Sequence, residues 1–315
     1  MAEGPVKAFF NAVRKDDVAA LREILSDDPD VAKSRWPGRS GDGKMRSLGP
    51  SPFNKHKWLK VPKDYDPDDP RFTSTPLIFT QNDEIVAMLV ESAVDVNAEG
   101  TSGDIELADW FYTPLWRAAH DGRIKSVRRL VEYGANVNYK TADGANQALK
   151  AAAENDHAEV CEYLLEKGAR PDILTASLLG MADYVKDLIT ADAAAISVSD
   201  AHGRMPLDAA TLLDSFRVSR EGLGPHHERT AEILVLHGAT MNLAHAASRG
   251  LLDEVKRRVE QDKDVLRRPV EMQALVTGAA VFESPLRAAR RRGWAEVEAY
   301  LVKNGAVEEP KIVWN

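Results

Sequence analysis

Cysteine is nearly absent from this chain of 315 residues, in which Cys161 is the sole example. A lone thiol cannot close an intramolecular disulfide, so the sequence excludes a disulfide-framed fold and favours a reducing compartment, the cytoplasm. Cys161 falls within a predicted helix, and we interpret it as a buried structural thiol rather than a nucleophile. Long apolar runs are also missing. No segment reaches the roughly 20 apolar residues of a membrane span, and the opening segment MAEGPVKAFFNAVRK lacks the apolar run of a signal peptide. A membrane partner is therefore not expected.

Positive charge is in deficit in this sequence. The 41 Lys and Arg residues face 49 Asp and Glu residues, which gives a formal net charge of −8 and a pI of about 5.6. Proteins that bind duplex nucleic acid usually carry a basic field, so a duplex is not expected among the partners. Metal-ligand motifs such as HEXXH and CXXC are absent. The segment GRSGDGKM fits GxxxxGK, but Met45 stands where a phosphate loop needs Ser or Thr. We predict no cofactor and no bound metal.

The most regular part of the chain is the stretch TPLWRAAHDGRIKSVRRLVEYGANVN at residues 113–138. Thr113 begins a first predicted helix, two alanines small enough for close helix packing follow, and Gly122 ends it. The apolar residues between 127 and 131 have the spacing of one face of a second helix. Gly134 ends that helix in the left-handed conformation that glycine adopts readily. The stretch therefore predicts a unit of two helices joined by a turn.

This unit resembles an ankyrin repeat, a module of about 33 residues with a T-P-L-H-x-A motif, here with Trp116 in the His position. The same pattern recurs along nearly the whole chain outside residues 36–72. The resemblance implies an all-α fold, an α-solenoid of about eight helix pairs with short β-hairpin connections (fingers), some of them enlarged. We expect a single array over residues 1–315. Its segments are an amino-terminal capping repeat at 1–35, an inserted loop at 36–72, central repeats at 73–283, and a carboxy-terminal repeat with a tail at 284–315.

Repeat proteins of this kind bind partners on a concave face. In ankyrin arrays that face is built from the fingers and from the exposed side of each first helix. The resemblance therefore implies a protein–protein interaction scaffold whose partner binds in the concave groove. The exposed positions are the residues at the end of each first helix. The predicted contact residues at these positions are His120, Asp121, Glu154, Asn155, Leu178, Leu179, Leu212, Leu213, Arg249 and Arg291.

Enlarged connections leave a second interpretation open. They lie at residues 36–72, 98–112 and 267–283, and the first holds six prolines, several aromatic residues and a run of Lys and Arg. Connections of this length that fold over the groove would form a pocket for a small anionic or aromatic ligand. The aromatic residues expected to line this pocket are Trp58, Trp110, Phe111, Tyr112 and Trp116. In this alternative the chain is an enzyme or a small-molecule-binding protein. His120, Asp121 and Glu154 are its candidate acid–base groups, because a His beside carboxylates suits proton transfer near neutral pH.

Overall fold

The computed structural model describes residues 4–37, 73–80, 82–100, 112–140, 147–200, 204–211, 225–267, 270–273 and 280–306. These residues form sixteen α-helices, which follow one another in eight pairs, and four short β-strands. The chain divides into two compact units, Met1–Arg170 and Pro171–Asn315. Each unit holds four of the helix pairs among the described residues.

The first unit contains helices α1 to α8. Their bounds are Pro5–Arg14 (α1), Val18–Asp27 (α2), Pro76–Phe79 (α3), Asp83–Glu91 (α4), Pro114–His120 (α5), Ile124–Glu132 (α6), Ala148–Glu154 (α7) and Ala158–Glu166 (α8). The two helices of each pair pack together. In addition, α1, α3, α5 and α7 pack in succession, and so do α2, α4, α6 and α8. First helices therefore stack on first helices and second helices on second helices, so each pair buries its apolar face against its neighbours.

The second unit contains helices α9 to α16. Their bounds are Ile173–Leu178 (α9), Ala182–Ala191 (α10), Pro206–Thr211 (α11), Pro225–Leu236 (α12), Leu243–Ser248 (α13), Leu252–Gln261 (α14), Pro285–Arg292 (α15) and Ala295–Lys303 (α16). Here α9, α11, α13 and α15 pack in succession, α10 packs against α12, and α14 packs against α16. The first helices of this unit are thus stacked like those of the first unit.

Side-chain caps mark the starts of α5 and α15, and a left-handed turn follows α5. Thr113 precedes α5, and its Oγ1 accepts a hydrogen bond from the backbone N–H of Trp116 at 3.2 Å. Ser284 precedes α15 and accepts from the N–H of Arg287 at the same distance of 3.2 Å. These bonds satisfy N–H groups that have no partner within the helix. The turn from α5 to α6 passes through Gly122, whose φ of +70° favours glycine.

Alanine and branched apolar side chains fill the interior of both units. In the first unit Leu115, Ala118 and Leu130 are at most 1% exposed. In the second unit Ala247 on α13 and Ala288 on α15 are both 0% exposed and belong to one core cluster. Because a methyl group takes little space, stacked first helices that carry alanine at their contact can approach closely. The alanines predicted to permit tight packing therefore lie at helix–helix contacts.

Antiparallel pairing closes the base of each enlarged connection. The pairs are β1 (Trp36–Pro37) with β2 (Thr73–Ser74), β3 (Val270–Gln273) with β4 (Ala280–Glu283), and an isolated bridge between Gly100 and Tyr112. Each long connection therefore leaves the helix array and returns to it at one place. Residues 38–72, 101–111 and 274–279 lie outside the described residues. The closure of these connections over a groove stays a prediction.

Candidate interaction surface

The residue pair at the end of α5 is only partly exposed. The side chain of His120 is 26% exposed and that of Asp121 is 17% exposed, although both positions are predicted to face solvent freely. The difference arises because both side chains are held by contacts within the chain. His120 Nδ1 lies 2.9 Å from Asp121 Oδ1, at hydrogen-bonding distance. The pair is therefore a fixed group rather than two mobile side chains.

Two arginines complete a cluster around the carboxylate of Asp121. Arg117 Nε donates to Asp121 Oδ2 at 2.8 Å, and Arg123 Nε lies 3.7 Å from the same oxygen. Burial alone raises the pKa of Asp121, but the hydrogen bond from His120 and the charges of the two arginines outweigh it and lower this pKa below its usual value. Asp121 is therefore ionised at neutral pH and balances the guanidinium charges. We call Arg117, His120, Asp121 and Arg123 the Asp121 cluster.

Two aromatic rings pack in series against His120 of the Asp121 cluster. The rings of His120 and Trp116 are stacked with centroids 5.0 Å apart, and Trp116 and Tyr112 lie 4.8 Å apart. Tyr112 is 0% exposed and Trp116 is 5% exposed, and both join Ile78 and Ala151 in a core cluster. Tyr112 and Trp116 are predicted to line a pocket. In the structure they are core residues, because α5 buries this face against α3 and α7.

A hydrogen-bonded chain extends the Asp121 cluster to α4. Arg123 Nη1 donates to Ser126 Oγ at 3.3 Å, and Ser126 Oγ donates to Asp83 Oδ1 at 2.5 Å. Ser126 is 0% exposed, so this bond satisfies a hydroxyl inside the first unit. Arg117, Arg123 and Asp83 are absent from the predicted contact residues. The spacing of four residues between Arg117 and Asp121 on one helix is a sequence signal that indicates their pairing.

The pair at the end of α7 lies on the helix next to α5. Glu154 Oε1 is 4.0 Å from Lys150 Nζ, and both side chains are 19% exposed. Asn155 Nδ2 donates to the backbone oxygen of Ala151 at 2.9 Å. His157 follows, and its Nε2 lies 2.9 Å from the backbone oxygen of His120. The structure therefore places the pairs predicted at 120–121 and 154–155 on neighbouring helices and connects these helices through His157.

The predicted apolar strip is described only in part. Leu178 and Leu179 are half-buried at the end of α9. Leu178 packs against the core cluster that includes α13 and α15, and its backbone oxygen lies 2.9 Å from His227 Nε2. Five predicted contact residues lie outside the described residues: Trp58, Trp110, Phe111, Leu212 and Leu213. An exposed apolar strip in the second unit therefore stays a prediction.

Arg249 is predicted to be an exposed basic contact, but its side chain is only 8% exposed. Its Nε and Nη2 donate to Glu228 Oε1 at 2.9 Å and 2.5 Å, and its Nη1 lies 3.7 Å from Met241 Sδ. The charge of Arg249 is thus neutralised inside the second unit by a residue of α12. Arg291, the other predicted basic contact, is half-buried near the end of α15.

The thiol of Cys161 is buried within α8. Burial raises the pKa of this thiol to about 12, and the charges of Asp156 and Glu162 act in the same direction. A thiol with this pKa is protonated at neutral pH and is a poor nucleophile. The environment of Cys161 agrees with its interpretation as a structural residue.

Comparison with known families identifies the repeats. Residues 103–175 match a family model described as ankyrin repeats (3 copies). The match includes α5 to α8, and hence the Asp121 cluster. The chain therefore contains ankyrin repeats, and the all-α repeat fold predicted from its sequence is confirmed. The number of repeats and the single array over residues 1–315 stay predictions.

Curated relatives are similar to this chain over about 100 residues each. Palmitoyltransferase AKR1 of Yarrowia lipolytica is 37% identical over 102 residues, which cover 32% of this chain and 14% of the relative. The ankyrin repeat and SAM domain-containing protein 6 of Danio rerio is 31% identical over 117 residues, 34% of this chain and 16% of the relative. A putative ankyrin repeat protein of Rickettsia bellii is 30% identical over 96 residues, 30% of this chain and 35% of the relative.

The chain therefore spans between 14% and 35% of the length of these three relatives. Two of these relatives are named as ankyrin repeat proteins, in agreement with the family match. These findings support a protein-interaction scaffold. None of the helices among the described residues has the length and hydrophobicity that a membrane span requires.

Proposed function

We propose that this chain is a protein-interaction scaffold whose protein partner binds on the first-helix side of the first unit, at the Asp121 cluster. The observation that carries the proposal is the partial exposure of this cluster. The side chains of Arg117, Asp121 and Arg123 are 14–17% exposed, and that of His120 is 26% exposed. The cluster thus exposes charged and polar side chains to solvent, while the ring of Trp116 against which His120 stacks belongs to the core.

The fixed geometry of the cluster favours binding. Asp121 holds Arg117 and His120 by hydrogen bonds of 2.8 Å and 2.9 Å, and His120 also stacks on Trp116. A partner need not immobilise these side chains, a step that costs about 0.5–1.5 kcal/mol for each mobile side chain. Charges in fixed positions also favour partners with a complementary pattern, which gives specificity more than affinity.

The experiment compares the wild-type chain with His120→Ala and with a matched control, Lys125→Ala. Lys125 is exposed on α6 and lies outside the cluster. Each chain is immobilised to retrieve proteins from a lysate of the source cells. A protein retained by the wild type is then purified and titrated by calorimetry. We expect His120→Ala to weaken its binding about tenfold or more, which corresponds to roughly 1.4 kcal/mol, and Lys125→Ala to leave it unchanged.

Circular dichroism and thermal unfolding of both variants serve as the control for folding. Equal affinity of the wild type and a folded His120→Ala variant would contradict a binding site at the cluster. An equal loss of affinity in Lys125→Ala would place the site elsewhere on the first unit.

The second candidate function is an acid–base enzyme, and the hydrogen bond between His120 and Asp121 favours it. A partly exposed imidazole held by a carboxylate is an arrangement that general acid–base catalysis uses. Against it, Asp121 also binds two arginines, and Glu154 pairs with Lys150 on its own helix. If this candidate is right, any activity found for the chain should fall about 100-fold or more in His120→Ala, measured as kcat/KM.

A further inference from the structure

One ring nitrogen of His120 is available at the surface of the first unit. Its Nδ1 lies 2.9 Å from Asp121 Oδ1. Its Nε2 has no hydrogen-bond partner among the described residues, and it is not one of the buried nitrogen atoms left without a partner. The side chain is 26% exposed, and the stacking on Trp116 fixes the plane of the ring. Nε2 is therefore the polar atom of His120 that a bound protein can reach.

The proton of the neutral His120 ring lies on Nδ1. Burial raises the pKa of Asp121, but the hydrogen bond from His120 and the charges of Arg117 and Arg123 lower it on balance, so this carboxyl group is ionised at neutral pH. An ionised carboxylate accepts hydrogen bonds and donates none, so Nδ1 is the donor to Oδ1. A neutral imidazole has a single N–H. Nε2 of the neutral ring is therefore a hydrogen-bond acceptor.

His245 in the second unit shows how this chain uses the second nitrogen of a histidine bound to a carboxylate. Its Nδ1 accepts from the backbone N–H of Asn242 at 3.0 Å, so the proton of the neutral ring is on Nε2, which donates to Asp208 Oδ1 at 2.8 Å. His245 is 4% exposed, and both of its ring nitrogens are satisfied within the chain. His120 binds its carboxylate through the other nitrogen, and the described residues supply no donor to its second one.

The charges around His120 favour an uncharged donor. Arg117 and Arg123 both lie at Asp121, so an ammonium or guanidinium group placed on Nε2 would meet two like charges. A carboxylate has no proton to donate at neutral pH and would bond to Nε2 only when the ring is protonated. An amide N–H avoids both conflicts.

We propose that the protein bound at the Asp121 cluster donates a hydrogen bond from an uncharged group, a backbone or side-chain amide N–H, to Nε2 of His120. This inference rests on the proposed function, because it names the group that the scaffold recognises. Covering Nε2 with a protein that lacks such a donor would leave the acceptor unpaired. The ring therefore selects among proteins of similar shape and charge.

The position of the proton is tested in the full chain by itself. Long-range ¹H–¹⁵N spectra of the ¹⁵N-labelled chain at about pH 8, where histidine is usually neutral, show which nitrogen of a ring carries the proton. The signals of His120 are those missing from His120→Asn. We expect a proton on Nδ1. A proton on Nε2 would overturn the proposal, because that nitrogen would then be a donor.

Two substitutions of His120 separate its nitrogens in a binding assay. The probe is the protein that the wild-type chain retains from the lysate, purified and titrated by calorimetry at about pH 8. His120→Asn keeps an N–H for Asp121 but has no acceptor at the place of Nε2, and we expect about tenfold weaker binding. His120→Gln can place its oxygen there and should bind more tightly than His120→Asn. His237→Asn is the matched control, since His237 Nδ1 also bonds within its own helix, to the backbone oxygen of Ile233 at 2.7 Å, and it should bind like the wild type.

The same titration at about pH 5.5 identifies the donor, because histidine usually changes its charge between these two pH values. A protonated ring accepts no hydrogen bond, so we expect the wild type to bind several-fold more weakly at the lower pH and His120→Gln to change less. Comparison with His120→Gln removes the contribution of the other groups on this side of the first unit. Those groups are Arg117, Asp121, Arg123, Lys150, Glu154, Asp156 and His157, and α3 carries no charged residue.

The outcomes distinguish this inference from the proposed function. Tighter binding of the wild type at the lower pH would indicate a carboxylate on the bound protein and would overturn the inference. Equal affinity of His120→Asn and the wild type, with weaker binding of His120→Ala, would overturn it and leave the binding site in place. Equal affinity of all the His120 variants and the wild type would overturn both.

Discussion

Gly122→Ala is expected to destabilise the first unit through a clash with the ring of His157. A Cβ atom on Gly122 would lie 2.4 Å from His157 Nδ1 and 2.5 Å from its Cε1. Such distances essentially do not occur, so the ring has to move. It cannot move without loss, because its Nε2 lies 2.9 Å from the backbone oxygen of His120 and satisfies the end of α5. The substitution therefore disturbs the contact between α5 and α7.

The size of the effect follows from three costs and one gain. Alanine at a φ of +70° costs roughly 1–2 kcal/mol. Overpacking typically costs about 1–3 kcal/mol, and the lost hydrogen bond adds about 1 kcal/mol. The lower entropy of the unfolded chain offsets about 0.4–1 kcal/mol. We therefore expect the free energy of unfolding to fall by about 2–6 kcal/mol.

Gly134→Ala is the matched control for backbone strain. Gly134 has a φ of +91°, but a Cβ atom there would meet nothing within 4 Å. Its substitution should cost only about 1 kcal/mol. Urea unfolding followed by far-ultraviolet circular dichroism measures both variants. Adding His157→Ala to Gly122→Ala should cost less than the sum of the single changes, because the clash is gone. Equal losses in the two glycine variants, or additive losses in the double variant, would refute the reasoning.

Other predictions concern the core, the pH dependence and the thiol. Leu130 is 1% exposed, so Leu130→Ala should lower the free energy of unfolding by about 2–5 kcal/mol through the cavity it leaves; a loss under about 0.5 kcal/mol in urea unfolding would contradict its place in the core. Burial lowers the pKa of His227, the hydrogen bond to the backbone oxygen of Leu178 raises it, and the charges of Arg292 and His226 lower it further, with a net decrease. The unfolded state then binds more protons than the folded state below about pH 6.5, so the stability that is fully present above this pH should fall as pH decreases. The urea midpoint should fall less with decreasing pH in His227→Gln than in the wild type. An equal fall in both would exclude His227 as the cause. Cys161, with a thiol pKa of about 12, should react with a thiol reagent far more slowly in the folded chain than in urea, and equal rates would contradict its burial.

Local sequence determined the helix pairs, because their signals act within a few residues. Thr113 precedes a helix that runs over Pro114–His120, and Gly122 and Gly134 follow the two helices of that pair in the left-handed conformation. Capping, apolar spacing and glycine turns need no information from distant parts of the chain. The all-α repeat fold could be predicted for this reason.

Exposure at the ends of the first helices was decided by tertiary packing. Arg249 occupies a position that the repeat pattern leaves open, but Glu228, 21 residues away, takes it into an ion pair. Tyr112 and Trp116 are buried because neighbouring helices cover them. For Arg249, Tyr112 and Trp116, availability to a partner depends on residues that are distant in sequence, so no local pattern reports it.

The two threonines that start α3 and α5 show the same division within one motif. Both begin a T-P-L sequence, and both precede a helix. Thr113 uses its hydroxyl to cap the backbone N–H of Trp116, whereas the hydroxyl of Thr75 is buried and has no hydrogen-bond partner among the described residues. The sequence determined where each helix starts, since that depends on backbone preferences of adjacent residues. Only the tertiary structure decided which hydroxyl caps its helix, because that depends on the segments packed around it.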